Sequence, residues 1–214
     1  MNQSVGIMSH PTFSGVYTQY INTNSNDLTV YTGTDKTVLL NHPVYNDINI
    51  DINPRNTGVG RPTLATFKGN IQQYRFAVGD FSDFRACEIP HSWKEGTQIE
   101  FHVHWSLGTA NDANLRGVKF EIEYTYADMA GVFSANDTQS AESSVALNEP
   151  AYTHKYTSIF SFSPATKVGT QMCVRLKRIS SVINANAPNS DPFIISFGIH
   201  YQSDTIGSRL ISTK

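Results

Sequence analysis

The stretch Gln98-Ile99-Glu100-Phe101-His102-Val103-His104-Trp105 decides the fold. Ile99, Phe101, Val103 and Trp105 fall on one side, and Gln98, Glu100, His102 and His104 on the other, which is the period of a half-buried β-strand. The residues before it, from Glu88 to Thr97, read as a loop: Pro90 holds Ile89 in extended geometry, and Lys94-Glu95-Gly96 makes a turn. An aromatic-rich strand with one polar, histidine-bearing face belongs at the centre of a β-sheet.

Working outward, the same alternation recurs. Val118 to Tyr126 places Val118, Phe120, Ile122, Tyr124 and Tyr126 on one face, with Lys119, Glu121, Glu123 and Thr125 opposite. Thr170 to Ile179 turns Met172, Val174 and Leu176 inward, and Phe193 to Tyr201 does so with Phe193, Ile195, Phe197, Ile199 and Tyr201. Tyr152 to Phe162 is a further strand. Ile71 to Val78 and Phe81 to Cys87 read as a strand pair around Gly79-Asp80, and Thr37 to Leu40 and Val44 to Ile52 as two strands interrupted by His42-Pro43. Asp128 to Pro150 reads as a long polar connection with room for a short helix at Ala141 to Leu147, and a loop of that length is commonly functional or packed on a partner. Strands in this number, with long connections between some of them, predict an all-β, two-sheet sandwich of jelly-roll type. Residues 37–214 form that single domain in this reading. Residues 1–36, polar and turn-rich, form an extended N-terminal arm ordered by a neighbour or a frayed terminus.

Composition narrows the classes. A chain of 214 residues buries roughly 70% of its unfolded surface and needs neither disulfide nor metal for a core. Charged residues are 16%, against about 25% in ordinary globular chains. The net charge of −2, with no basic block, gives no electrostatic footing for nucleic acid or an anionic membrane as partner. Two cysteines, Cys87 and Cys173, suit free thiols rather than a disulfide framework. The opening residues lack the basic and apolar regions of a signal peptide, so synthesis and folding in the cytoplasm are expected.

Few constellations carry chemistry. Gly96 followed by His102-x-His104 resembles the opening of a cupin metal motif, and two histidines at i and i+2 on a strand share a face. The glutamate such a motif then requires is missing, since Gly108 and Thr109 stand there, although Glu121 or Glu123 could lie across from His102 if the two strands pair. His102 and His104 are therefore the candidate ligands, with a polar sheet face or subunit interface as the ordinary alternative. The expectation is no bound metal and no cofactor. The acidic run Asp47 to Asn53 lacks the glycine and terminal glutamate of a calcium loop. There is no Gly-x-Ser-x-Gly elbow, Walker loop or dinucleotide fingerprint. Cys173, on an outward face with Arg175 and Lys177, reads as a surface cysteine; Arg178 completes a basic cluster too small to argue nucleic acid. Trp93 and Trp105 read as core or interface anchors. No enzyme is expected.

Three segments resemble tailed-phage and prophage virion proteins: Val44-Tyr45-Asn46-Asp47-Ile48, the run from Pro90 to Thr97 leading into His102-Val103-His104-Trp105, and His200 to Arg209. The resemblance spans most of the chain from residue 44 and leaves residues 1–43 uncovered. It implies a virion structural protein, made in the host bacterial cytoplasm and carried in the virion. By analogy with jelly-roll capsid decoration (cement) proteins it implies a station on the head, with the major capsid protein as partner and a homo-oligomer as the active form. A tail, neck or glycan-binding fibre-head component, or a cupin-like metal-binding protein, is the alternative.

Overall fold

The structure is a computed structural model that describes residues 39–84, 87–164, 166–183, 187–208 and 210–211. The arm expected over residues 1–36, and the start of the domain at residue 37, lie outside the described residues. Within them the chain forms β1 (Leu39–Ile50), β2 (Thr63–Lys68), β3 (Ile71–Arg75), β4 (Phe81–Asp83), β5 (Cys87–Glu88), β6 (Ile99–Leu107), β7 (Arg116–Ala127), β8 (Asp137–Val145), β9 (Lys155–Phe162), β10 (Gln171–Ile179) and β11 (Pro192–Thr205).

One sheet runs β2-β3-β11-β6-β9 and the other β4-β10-β7-β8. The antiparallel pairs β7·β8, β6·β9, β4·β10 and β3·β11 are nested like the two arms of a folded hairpin, and successive pairs alternate between the sheets. That nesting is the jelly-roll order, so the expected two-sheet sandwich is the fold. β11 is longer than either neighbour on its outer flank: Phe193 pairs with β3, while Phe197 to Thr205 pairs with β1. β10 is shared likewise between β4 and β5.

The alternation that defined the strands also defines the core. Ile99, Phe101, Val103 and Trp105 of β6 meet Val118, Phe120 and Ile122 of β7 and Met172, Val174 and Leu176 of β10, all at 5% exposure or less. Each such side chain contributes about 1.5–3 kcal/mol by leaving water. Phe84 stacks on Phe197 at 4.7 Å between centroids, and Phe101 on Phe197 at 6.1 Å. One polar link crosses the sandwich where its sheets draw together. Trp105 Nε1–H donates to Thr157 Oγ1 of β9 at 2.8 Å, and Thr157 bonds Ser143 Oγ of β8 at 2.7 Å.

Five expectations are corrected. His42-Pro43 does not divide β1; the ladder to β11 shifts register between Leu39 and Val44 and continues. Gly79-Asp80 does not close a hairpin, because β3 belongs to one sheet and β4 to the other, and the turn carries the chain across the sandwich. β3 instead pairs with β2, which alternation did not mark because neither face of it is deeply buried. The connection after β7 is not a long loop with a helix: β8 returns along β7 from Tyr124↔Asp137 to Arg116↔Val145. It is an edge strand with only Val145 buried, so its apolar period is faint. In β11 a register irregularity between Ile194 and Ser196 turns Ile194 into the core and leaves Ile195 half-buried.

Candidate functional site

The outward face of the first sheet carries the least ordinary set of side chains. Register places them in rows. Asp47 of β1 lies opposite His200 of β11, and His200 opposite Glu100 of β6. One row on, Asn49, Gly198 and His102 lie abreast; Ser196 and Tyr156 flank His104. Because Gly198 has no side chain, the His102 ring leans across it, and a Cβ there would stand 3.0 Å from His102 Nε2. His200 stacks on His102 at 3.9 Å between centroids, with Tyr156 at 5.4 Å and His104 at 5.1 Å. His102 is therefore 1% exposed although it stands on the outer face.

The polar contacts divide this cluster in two. His200 Nε2 lies 2.7 Å from Asp47 Oδ1, and its Nδ1 3.4 Å from Glu100 Oε2. Tyr156 O–H donates to Glu100 Oε1 at 2.5 Å. His104 instead pairs with His154, Nδ1 to Nε2 at 2.8 Å. Among the described residues, the buried His102 Nδ1 has no hydrogen-bond partner. Asp47, His102 and His200 each bring a ligand atom within 4.8 Å of the other two.

Burial, then the neighbouring His200 and His104, pushes His102 down to about 4, so its ring is neutral at neutral pH. His104 is lowered by burial and by His154. Burial would raise Glu100, but hydrogen bonds from Ser158, Tyr156 and His200 outweigh it and hold the carboxylate below its ordinary range. Tyr156 is raised, by burial and by that carboxylate. The face thus presents neutral imidazole beside ionised carboxylate, a combination suited to a cation or a hydrogen-bonding partner.

Sequence reasoning identified His102 and His104 but paired them with each other. The structure gives His102 to His200 and Asp47, and His104 to His154. Neither Glu121 nor Glu123 can approach His102, because β6 and β7 lie in different sheets. His200, Asp47, Glu100 and Tyr156 carried no local signal; only the register of three strands assembles them. The basic cluster also comes apart. Arg175 pairs with Asp83 at 2.6 Å and Glu123 at 3.6 Å, and Lys177 with Glu121 at 4.0 Å. Arg178 points inward at 1% exposure, donating to Phe76 O at 2.6 Å and to Asp191. Cys173 is exposed and Cys87 half-buried, both free thiols. Trp93 and Trp105 are fully buried anchors.

The three segments with virion resemblance meet beside this face. Trp93 bridges to Ser203, Lys94 N–H donates to Gln202 O at 2.7 Å, and Asp204 N–H to Ser92 O at 3.3 Å. Asn46 Nδ2 donates to Ser203 Oγ at 2.7 Å, and Gln202 Nε2 to Tyr45 Oη at 3.0 Å. His91 hydrogen-bonds Ser208. Gly96, at φ +80°, closes the turn that sends the chain from this junction into β6. A shallow groove lined by Tyr45, Glu100, His200 and Gln202 joins the junction to the histidine cluster.

No family model and no curated protein matches the chain. Among solved structures it is similar to that of infectious bursal disease virus Gx strain, at 8% identity over 83% of this chain with a TM-score of 0.35. It is also similar to that of the Gt strain of infectious bursal disease virus, at 10% identity over 86% with a TM-score of 0.33. The likeness covers 37% and 38% of the matched chains, so this chain spans less than two fifths of their length.

Proposed function

We propose that this chain is a virion structural protein, a head decoration protein that bridges and stabilises capsomers. The observation that carries the reading is the convergence of the three phage-like segments. They are far apart in sequence, yet β1, the loop before β6 and the end of β11 build one junction through main-chain bonds. Segments that resemble a family and also build one surface support a shared task better than scattered likeness would. Apolar side chains held open to solvent support a binding role as well. Leu64 and Ile71 project from the β2–β3 hairpin, and Met129, Val132 and Phe133 from the β7–β8 connection. The partner proposed is the major capsid protein, and the active form a homo-oligomer.

Residues 1–36 are proposed as the capsid contact, and a lattice adds avidity to each such attachment. The test mixes purified protein with undecorated heads and pellets them, for the intact chain and for one lacking residues 1–36. The intact chain should pellet in a fixed ratio to the major capsid protein, and the shortened chain should fold but stay in solution. An intact chain that ignores heads and co-purifies with tails or fibres would refute the head assignment.

A further inference from the structure

We propose that Asp47, His102 and His200 form a binding site for a zinc-type divalent ion on the outer face where β1, β11 and β6 lie side by side. The inference goes beyond the decoration reading and stands without it.

The donors are one carboxylate and two imidazoles, whose ligand atoms already lie within 4.8 Å of one another. A tetrahedral ion with bonds of about 2.0 Å draws its donors to roughly 3.3 Å apart. Asp47 Oδ1 and His200 Nε2, at 2.7 Å, need only part around the ion. Asp47, half exposed, is free to turn, while the His200 ring, stacked on His102 with 22° between their planes, must tilt for both nitrogens to face one ion. Two nitrogen donors favour zinc and its transition-metal neighbours over calcium or magnesium, which take oxygen. Solvent on the Asp47 side would supply the fourth ligand.

Two features set this cluster apart from a chance meeting of surface residues. The first is His102. A ring at 1% exposure with an unpartnered Nδ1 is an unusual expense on a sheet surface, and it fits only because position 198 is glycine. The second is the support behind His200. With an ion on Nε2, its Nδ1–H would donate to Glu100, itself held by Tyr156 O–H at 2.5 Å. That is the carboxylate–histidine–metal arrangement that fixes a ligand's tautomer and orientation. The nearby His104–His154 pair, bonded at 2.8 Å, has no third donor among the described residues and is not part of the set. Among the described residues β1 pairs with β11 alone, so an ion held by all three residues would tie this flanking strand to β11 and β6 together.

The experiment uses the full chain without a histidine tag, stripped with chelator and titrated with zinc chloride in a calorimeter, and with cobalt(II) for its visible absorption. The expected result is one ion per chain. At zinc about a hundred-fold above Kd, the melting temperature should rise by roughly 5–10 °C. Asp47→Asn and His200→Ala, whose side chains are partly exposed and not needed for the core, should each abolish stoichiometric binding. Glu100→Gln should weaken it by about 10–100-fold, and His104→Ala should leave it intact. Absence of a titratable site in the folded wild type would overturn the proposal. So would binding that survives both Asp47→Asn and His200→Ala, or that vanishes only with His104→Ala.

Discussion

Replacing Gly198 with alanine adds one methyl group where β1, β11 and β6 crowd together. An ideal Cβ there lies 2.8 Å from Ile48 O, 3.0 Å from His102 Nε2 and 3.1 Å from His102 Cε1. Comfortable contacts begin near ~3.5 Å, so all three are compressed. The carbonyl belongs to the backbone of β1, and moving it strains the β1–β11 ladder on both sides of Ile48. His102 cannot simply lift away, because His200 stacks on it and Tyr156 and His104 stand beside it. Overpacking of this kind costs about 1–3 kcal/mol. Alanine restricts the unfolded chain and returns about 0.4–1 kcal/mol. The net expectation is a loss of about 1–2 kcal/mol, or roughly 2–8 °C in melting temperature for a chain of this size. Urea and thermal unfolding of wild type, Gly198→Ala, His102→Ala and the double variant measure it. Removing the ring relieves two of the three contacts, so the double variant should be more stable than the two single losses summed. A Gly198→Ala protein that melts at or above wild type would refute this account of how His102 is seated.

Three further outcomes follow from the same contacts. In metal-free protein the unfolded chain protonates His102 below its ordinary 6.5, while the folded chain holds out to about 4. Stability should thus fall as pH drops through that window, by up to about 3 kcal/mol, with less slope in His102→Gln; an NMR titration of His102 near 6.5 would contradict this. Thr157→Val strands the buried Trp105 N–H and breaks the link to Ser143, so it should cost about 1–3 kcal/mol by urea denaturation, against no change if that link is idle. Cys173, exposed, should react with a thiol reagent in the native state. Cys87, whose thiol burial pushes up to about 12, should react only on unfolding, and equal rates would show that the edge at β5 opens.

Legibility followed burial. β6, β7 and β10 were readable almost to their ends because one face of each supplies apolar side chains to the core and the other carries mostly polar ones. β2 and β8 sit at sheet edges, where little is buried, and their hydrogen bonds to β3 and β7 come from tertiary pairing rather than apolar period. Gly79-Asp80 has the chemistry of a hairpin turn, but whether such a turn folds back or crosses between sheets depends on partners distant in sequence. The cluster was half legible for the same reason. His102 and His104 share a face by strand geometry alone. The ring that His102 stacks on comes from β11 and the carboxylate beside that ring from β1, and only register brings them together.

The nested pairing of the strands orders events in time as well as in space. β7 and β8 are joined by a short connection and can meet as soon as both exist. The pairs β6·β9, β4·β10 and β3·β11 each close over the one within, so each step joins strands further apart in sequence than the last. β11 follows every strand it joins in sequence, yet it lies between β6 on one flank and β3 and β1 on the other. A nascent chain that has emitted everything up to β10 therefore holds a sheet split along its middle, with bare edges on β6 and β3 facing a gap. Until β11 leaves the ribosome and slides in, those edges are open to any other strand in the cell, including the β11 of a finished neighbour.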